Sequence, residues 1–239
     1  MNCKNILLLL AAILLTVTVP LLTACGSDDD LTVPTVTPTA TGEFTDTRDG
    51  NVYHYVSYAG LDWTVENARY DTGSDDTRSI YLSKDAIGDD EGTAAQNTLN
   101  TYGYLYTWQG AQKAVPDGWR LPTDDDWKML EMALGMTHQQ ADADGWRGSV
   151  QGTLMHQKDG TGLDMRYGGF MDGLSTSFAS KYYFIQAMAY YWTATPGDDN
   201  QSTAYMRKLM YNHQDVYRHT TSVKDRMSVR FVRDTPAKQ

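Results

Sequence analysis

The chain has 239 residues, with 20 Lys and Arg against 30 Asp and Glu and a formal net charge of −10. So acidic a surface repels phosphate backbones and anionic headgroups, which excludes nucleic acid and a polybasic membrane contact as the basis of function. Both cysteines, Cys3 and Cys25, lie near the start, so the body of the chain has no thiol to act as nucleophile, metal ligand, redox centre or disulfide.

Residues 1–24 read as a secretory leader: Lys4, an apolar run from Ile6, and Leu22-Thr23-Ala24-Cys25 at its close. A cysteine directly after the expected cut makes this a lipobox. Cys25 is therefore the expected lipidation site and mature N-terminus, and two or three acyl chains at ~0.8 kcal/mol per buried methylene make a stable anchor. An uncleaved span is the alternative, since residues 5–24 are about long enough for a ~30 Å hydrocarbon core. Pro20 and the small residues before Cys25 suit a peptidase site better. The following Gly26-Ser27-Asp28-Asp29-Asp30 resembles the acidic export tag of surface lipoproteins in the Bacteroidota, which implies an outer-membrane, outward-facing location; a solvated linker is the plainer reading. The Thr/Pro tract of residues 31–41 has no helical or strand period and reads as an extended spacer. Residues 25–43 together form the expected anchor and linker.

Residues 44–234 are expected to form one domain, with a tail at 235–239; about 190 residues suffice for a sizeable core. The 6 Trp and 16 Tyr supply large contact areas for it. Asp49-Gly50-Asn51 is a turn signal before the β-rich residues 52–58, and Gly60 leads into a second strand over 61–65, giving a hairpin. Residues 70–102, rich in Asp, Gly, Ser and Thr around an apolar island at Ile80-Tyr81-Leu82, read as a surface excursion. A helical turn is expected within 108–114. Pro122 then precedes the clearest helix, opened by Thr123 with Asp126 three residues on, carrying Trp127, Leu130 and Leu134 on one face with Lys128 and Glu131 off it, and closed by Gly135. Residues 135–190 read as loops. Strands are expected at 189–194, 203–209 and 227–232, the last alternating Met227, Val229 and Phe231 against Ser228, Arg230 and Val232. The fold class is α+β, with short antiparallel strands, one or two helices and long loops.

Four ordered groups of segments carry a resemblance: Asp49-Gly50-Asn51-Val52-Tyr53 with Trp63-Thr64-Val65-Glu66-Asn67; Tyr102-Gly103-Tyr104-Leu105-Tyr106-Thr107-Trp108; Pro116-Asp117-Gly118-Trp119-Arg120-Leu121-Pro122-Thr123; and Tyr191-Trp192-Thr193-Ala194-Thr195 with Ser228-Val229-Arg230-Phe231-Val232-Arg233-Asp234. Together they resemble the Fibrobacter succinogenes major paralogous domain family. The resemblance implies a C-type lectin-like fold, akin to sulfatase-modifying factors, with paired terminal strands and a long loop region that binds. It also implies structural roles for Trp63, Trp119, Trp127 and Trp192 as core aromatics and for Arg120, Glu66 and Asn67 as polar pins. Where the family often has cysteines, this chain has Val115 and Phe231. Sulfatase-modifying enzymes depend on their cysteines, so that activity is not expected.

Catalytic patterns are absent: no Gly-x-Ser-x-Gly elbow, no helical His pair around a Glu, and five scattered histidines at 54, 138, 156, 213 and 219. No catalytic or metal residue and no cofactor is expected. Calcium is the one candidate ion, through the oxygen-rich Asp75-Asp76, Asp89-Asp90-Glu91, Asp142 with Asp144, and Asp198-Asp199-Asn200, none of which fits the twelve-residue calcium loop. Trp146, Arg147, Arg166, Tyr167, Phe170 and Asp172 combine aromatic faces with charge and form the candidate binding surface. The expected function is a non-catalytic, lipid-anchored surface protein that binds an extracellular glycan or protein. A structural subunit of a fimbria-like assembly and an enzyme are the alternatives.

Overall fold

The computed structural model describes residues 33–81, 91–177 and 181–236. Cys25, the acidic tag, Leu82 and the Asp89-Asp90 pair lie outside them. Strand β1 (Thr41–Thr45) starts inside the expected linker and pairs antiparallel with β2 (Val52–Tyr58). Residues upstream also lie along the domain: Val33 and Val36 pack against the core, and the Thr39 amide donates to the Ser57 carbonyl at 3.0 Å. The described part of the spacer is thus docked. The expected hairpin follows, β2 turning into β3 (Leu61–Thr64) through Ala59 and Gly60 at φ 51° and 81°, the positive-φ pair that a two-residue hairpin turn uses.

The excursion after Tyr70 holds a short strand, β4 (Arg78–Ser79), and a twelve-residue helix, α1 (Glu91–Tyr102). Leu99 is the only large aliphatic side chain in that helix, so no apolar stripe announces it. Next come β5 (Leu105–Tyr106), paired with β4, and α2 (Trp108–Lys113), capped by the Thr107 hydroxyl on the Gly110 amide. A side chain at Gly110 would meet the Thr77 carbonyl at 2.0 Å, so only glycine lets α2 lie this close to the chain.

Helix α3 (Asp124–Ala133) has both ends as read from sequence. The Thr123 hydroxyl accepts from the Asp126 amide at 3.1 Å, and the Asp126 carboxylate accepts from the Thr123 amide at 2.6 Å. Such a cap is worth about 1 kcal/mol, and the three leading acids favour the positive helix end. At the other end Gly135, at φ 100°, donates to the Met132 carbonyl at 2.9 Å and Met136 donates to Glu131 at 3.0 Å, the paired closure of a left-handed glycine cap. Trp127, Leu130 and Leu134 are fully buried, but so is Glu131, which does not point to solvent.

Residues 135–190 are more ordered than expected. They hold α4 (His138–Asp142), opened by a Thr137 and Gln140 capping box, then β6 (Gly145–Arg147), α5 (Gln151–His156), β7 (Gly168–Met171) and β8 (Tyr182–Ile185). Five helices among the described residues replace the one or two expected. The chain ends with β9 (Met188–Pro196), β10 (Thr203–Met210), β11 (Val216–Ser222) and β12 (Val232–Asp234).

One sheet has the order β1-β2-β3-β12 and the other β6-β11-β10-β9-β7-β8, antiparallel except between β7 and β9. The pairing of β12 with β3 brings the two ends of the domain together. The main core gathers Trp127, Leu130 and Leu134 of α3, Leu154 and Met155 of α5, and residues of both large sheets. A second, aromatic cluster holds Tyr53, Tyr106, Trp108, Trp119, Trp192 and Phe231. The strand expected over 227–232 is not one element: Met227 and Ser228 make isolated bridges, β12 begins only at Val232, and residues 227–232 are all buried rather than half-buried. The amides and carbonyls of Met227 and Ser228 bond to Tyr106 on one side and to Tyr190 and Trp192 on the other, so both edges of the segment are occupied there.

The expected pins are uneven. Asn67 is buried and joins Arg230, which also donates to the carbonyls of Thr64, Leu163 and Asp164. Arg120 is half-exposed and grips Asp126, while Glu66 accepts from the His54 amide at 2.8 Å.

Candidate functional site

The inner face of the six-stranded sheet holds a buried ion network. Glu131 accepts from Arg147 Nη2 at 2.6 Å and from Arg207 Nε at 2.7 Å; Asp124 accepts from Arg207 Nη1 and Arg218 Nη2, each at 2.7 Å. Burial alone would raise the Asp124 pKa, but the Arg218 hydrogen bond and the Arg207 charge outweigh it and hold the carboxyl well below its usual range. This network ties α3 to β6, β10 and β11. It also corrects the place given to Arg147, which is only 5% exposed and bonded within the core and so cannot present its charge to a partner.

The opposite face, covered at Trp192 and Met206 by the aromatic core, carries beyond them a row of side chains that crosses all six strands. Trp146 on β6 faces Tyr217 on β11, Tyr217 faces Lys208 on β10, and Lys208 faces Tyr190 on β9. Phe170 on β7 then packs on Tyr190 with ring centroids 4.7 Å apart, and faces Tyr183 on β8 at 5.4 Å. Trp146 is also stacked on His213 at 4.1 Å. The Lys208 ammonium lies 4.0 Å from the Tyr217 centroid and 5.0 Å from that of Trp146, a cation–π position, and burial lowers its pKa. Trp146, Tyr217, Lys208 and Phe170 are half-buried, so the row reaches solvent on both sides of Tyr190, which is itself buried.

Two of the six sequence candidates, Trp146 and Phe170, therefore stand on one surface, 24 residues apart in sequence but joined through three strands. Arg166 pairs with Asp164, and Tyr167 stacks on His156 at 4.2 Å and packs on the main core, away from Phe170's cluster. The Asp172 carboxylate takes the Leu174 amide at 2.8 Å and forms a turn. Tyr190, Lys208 and Tyr217 were not anticipated. The alternation of Val216, Arg218 and Thr220 with Tyr217, His219 and Thr221 was the available signal for β11, without which Trp146 has no register to β10.

The oxygen-rich loops have internal partners. Asp75 pairs with Arg78, Asp142 with Lys128 and Asp144 with His219. Asp198 accepts from the amides of Asn200, Ser202 and Thr203. Among the described residues no three His, Cys, Asp or Glu side chains gather as a metal site, and no helix is long and apolar enough to cross a membrane.

The architecture is that of an α+β domain built on antiparallel sheets with a half-open aromatic face. The family model of the Fibrobacter succinogenes major domain matches residues 56–233, and the chain belongs to that family. No curated protein and no solved structure matches it.

Proposed function

We propose that this chain is a non-catalytic lipoprotein of the outer membrane, anchored through Cys25, whose domain holds an extracellular glycan across the aromatic row of the six-stranded sheet. The row carries the reading. Five inter-strand steps of ~4.8 Å give it a length of ~24 Å, enough for an extended polymer. Its donors at Tyr217 and Lys208 stand between the rings of Trp146 and Tyr190, a mix of apolar and polar contacts suited to chains that carry both C–H and hydroxyl groups. The pairing of β12 with β3 supports a C-type lectin-like arrangement of the domain. A glycan array probed with the purified protein tests the function: saturable signals that weaken in Trp146→Ala support it, and no signal on any glycan contradicts it.

A protein partner, including a place in a fimbria-like assembly, is the competing reading. Exposed Leu174, Phe184 and Tyr211 favour it, and a stable partner recovered from native membranes without any glycan signal would select it. Calcium is the one ion to include and omit in these assays.

Anchoring has its own expected result, resting on the lipobox that ends at Cys25. Cys25→Ser should leave an unprocessed precursor or release the protein from membranes, as read by fractionation and acyl-chain labelling. A mature, acylated, membrane-bound mutant would refute the anchor.

A further inference from the structure

A second concave surface uses none of the row's residues. A cleft of about 580 Å³ opens beside α2, its lining including Trp108, Gln109, Gln112 and Gln201, the cations Lys224 and Arg226, and one carboxylate, Asp76. A neighbouring hollow of about 590 Å³ shares Trp108, Gln112 and Gln201 and continues to Trp119. The two form one trough.

Three of its polar groups are unengaged. Gln109, Gln112 and Gln201 are exposed, and their side-chain amides make no hydrogen bond to a described residue. Gln201 sits at φ 54°, left-handed backbone that a non-glycine residue adopts only at a cost. The Asp198 turn imposes that pose: the Gln201 amide donates to the Asp198 carbonyl at 3.0 Å, and the Asp198 carboxylate takes the Ser202 and Thr203 amides at 3.1 Å and 2.8 Å.

Arg226 supplies the half-buried charge, beside the exposed Lys224. Its Nη1 donates to the Arg78 carbonyl at 2.7 Å, its Nε is buried with no partner, and burial lowers its pKa, with Asp75 and Asp76 acting only through space. Most other arginines here grip a carboxylate directly, as Arg78 does with Asp71 and Arg120 with Asp126. A half-buried guanidinium with no carboxylate bonded to it is unfavourable, and a ligand carboxylate would supply that direct counter-charge.

We infer that this trough binds an acidic saccharide, with the uronate carboxylate on Arg226, hydroxyls on the amides of Gln109, Gln112 and Gln201, and Trp108 as an apolar wall. Side-chain amides offer a donor and an acceptor together, which matches neighbouring sugar hydroxyls. The site is independent of the aromatic row.

Calorimetric titration of the purified full chain with trimers of galacturonate, mannuronate and guluronate, with their methyl esters and with a neutral galactose trimer tests it. At least one uronate trimer should bind saturably, and esterification should weaken it about tenfold or more, the loss of a charge-assisted contact. Arg226→Gln should do the same and Gln201→Ala should weaken binding several-fold, while Trp146→Ala leaves this affinity unchanged. If Arg226→Gln does not fold, the comparison of acid with ester on the native chain decides. Absence of saturable uronate binding, equal affinity for acid and ester, or unchanged affinity in Gln201→Ala and folded Arg226→Gln alike would overturn the inference.

Discussion

Glu131→Ala should lower the unfolding free energy by about 3 to 5 kcal/mol, because removing one partner of a buried ion pair strands the other charge. Glu131 is 0% exposed and its two oxygens serve two different arginines. Without it, Arg207 keeps Asp124, but Arg147 is left with the carbonyls of Ala141 and Val216. Glu131→Gln retains one acceptor and the side-chain shape, so its loss should be smaller. Urea denaturation of the three proteins measures this. A midpoint for Glu131→Ala equal to that of the native chain would show that the network does not hold α3 to the sheet.

Trp127→Ala is expected to cost a similar ~3 to 5 kcal/mol, by a different route: lost burial and an unfilled cavity. The indole is fully buried, meets Trp63 edge-on at 5.0 Å and lies 5.8 Å from the Tyr191 ring. Its Nε1 is buried without a partner, so Trp127→Phe removes volume but no hydrogen bond and should be clearly milder. Equal losses for Trp127→Phe and Trp127→Ala would contradict packing as the source of its stability.

Local signals were readable where neighbours in sequence supply the physics. The hairpin at Ala59 and Gly60, the helix capped by Thr123 and the buried tryptophans all follow from residues a few positions apart. Glu131 and Arg147 were not readable in the same way. An acid beside an apolar stripe looks like a solvated face until its partners, 16 and 76 residues downstream, are brought to it. The same holds for the candidate site. Trp146 and Phe170 were picked out as aromatic groups among glycines, but the surface joining them is made by the register of β9, β10 and β11, which composition does not encode. Helix α1 was missed for want of an apolar stripe, and α4 although its Thr137 and Gln140 capping pair stands in the sequence.

The aromatic row as one binding surface is tested at Trp146, which ends it on β6, and at Phe170, next to its other end on β8. A glycan that binds the native protein on an array, titrated by calorimetry against the native chain, Trp146→Ala and Phe170→Ala, measures both positions at once. Each variant should stay folded, as read by a cooperative melt, and lose about 2 kcal/mol of binding, roughly thirtyfold in Kd. Full affinity in both folded variants would contradict the row as the binding surface.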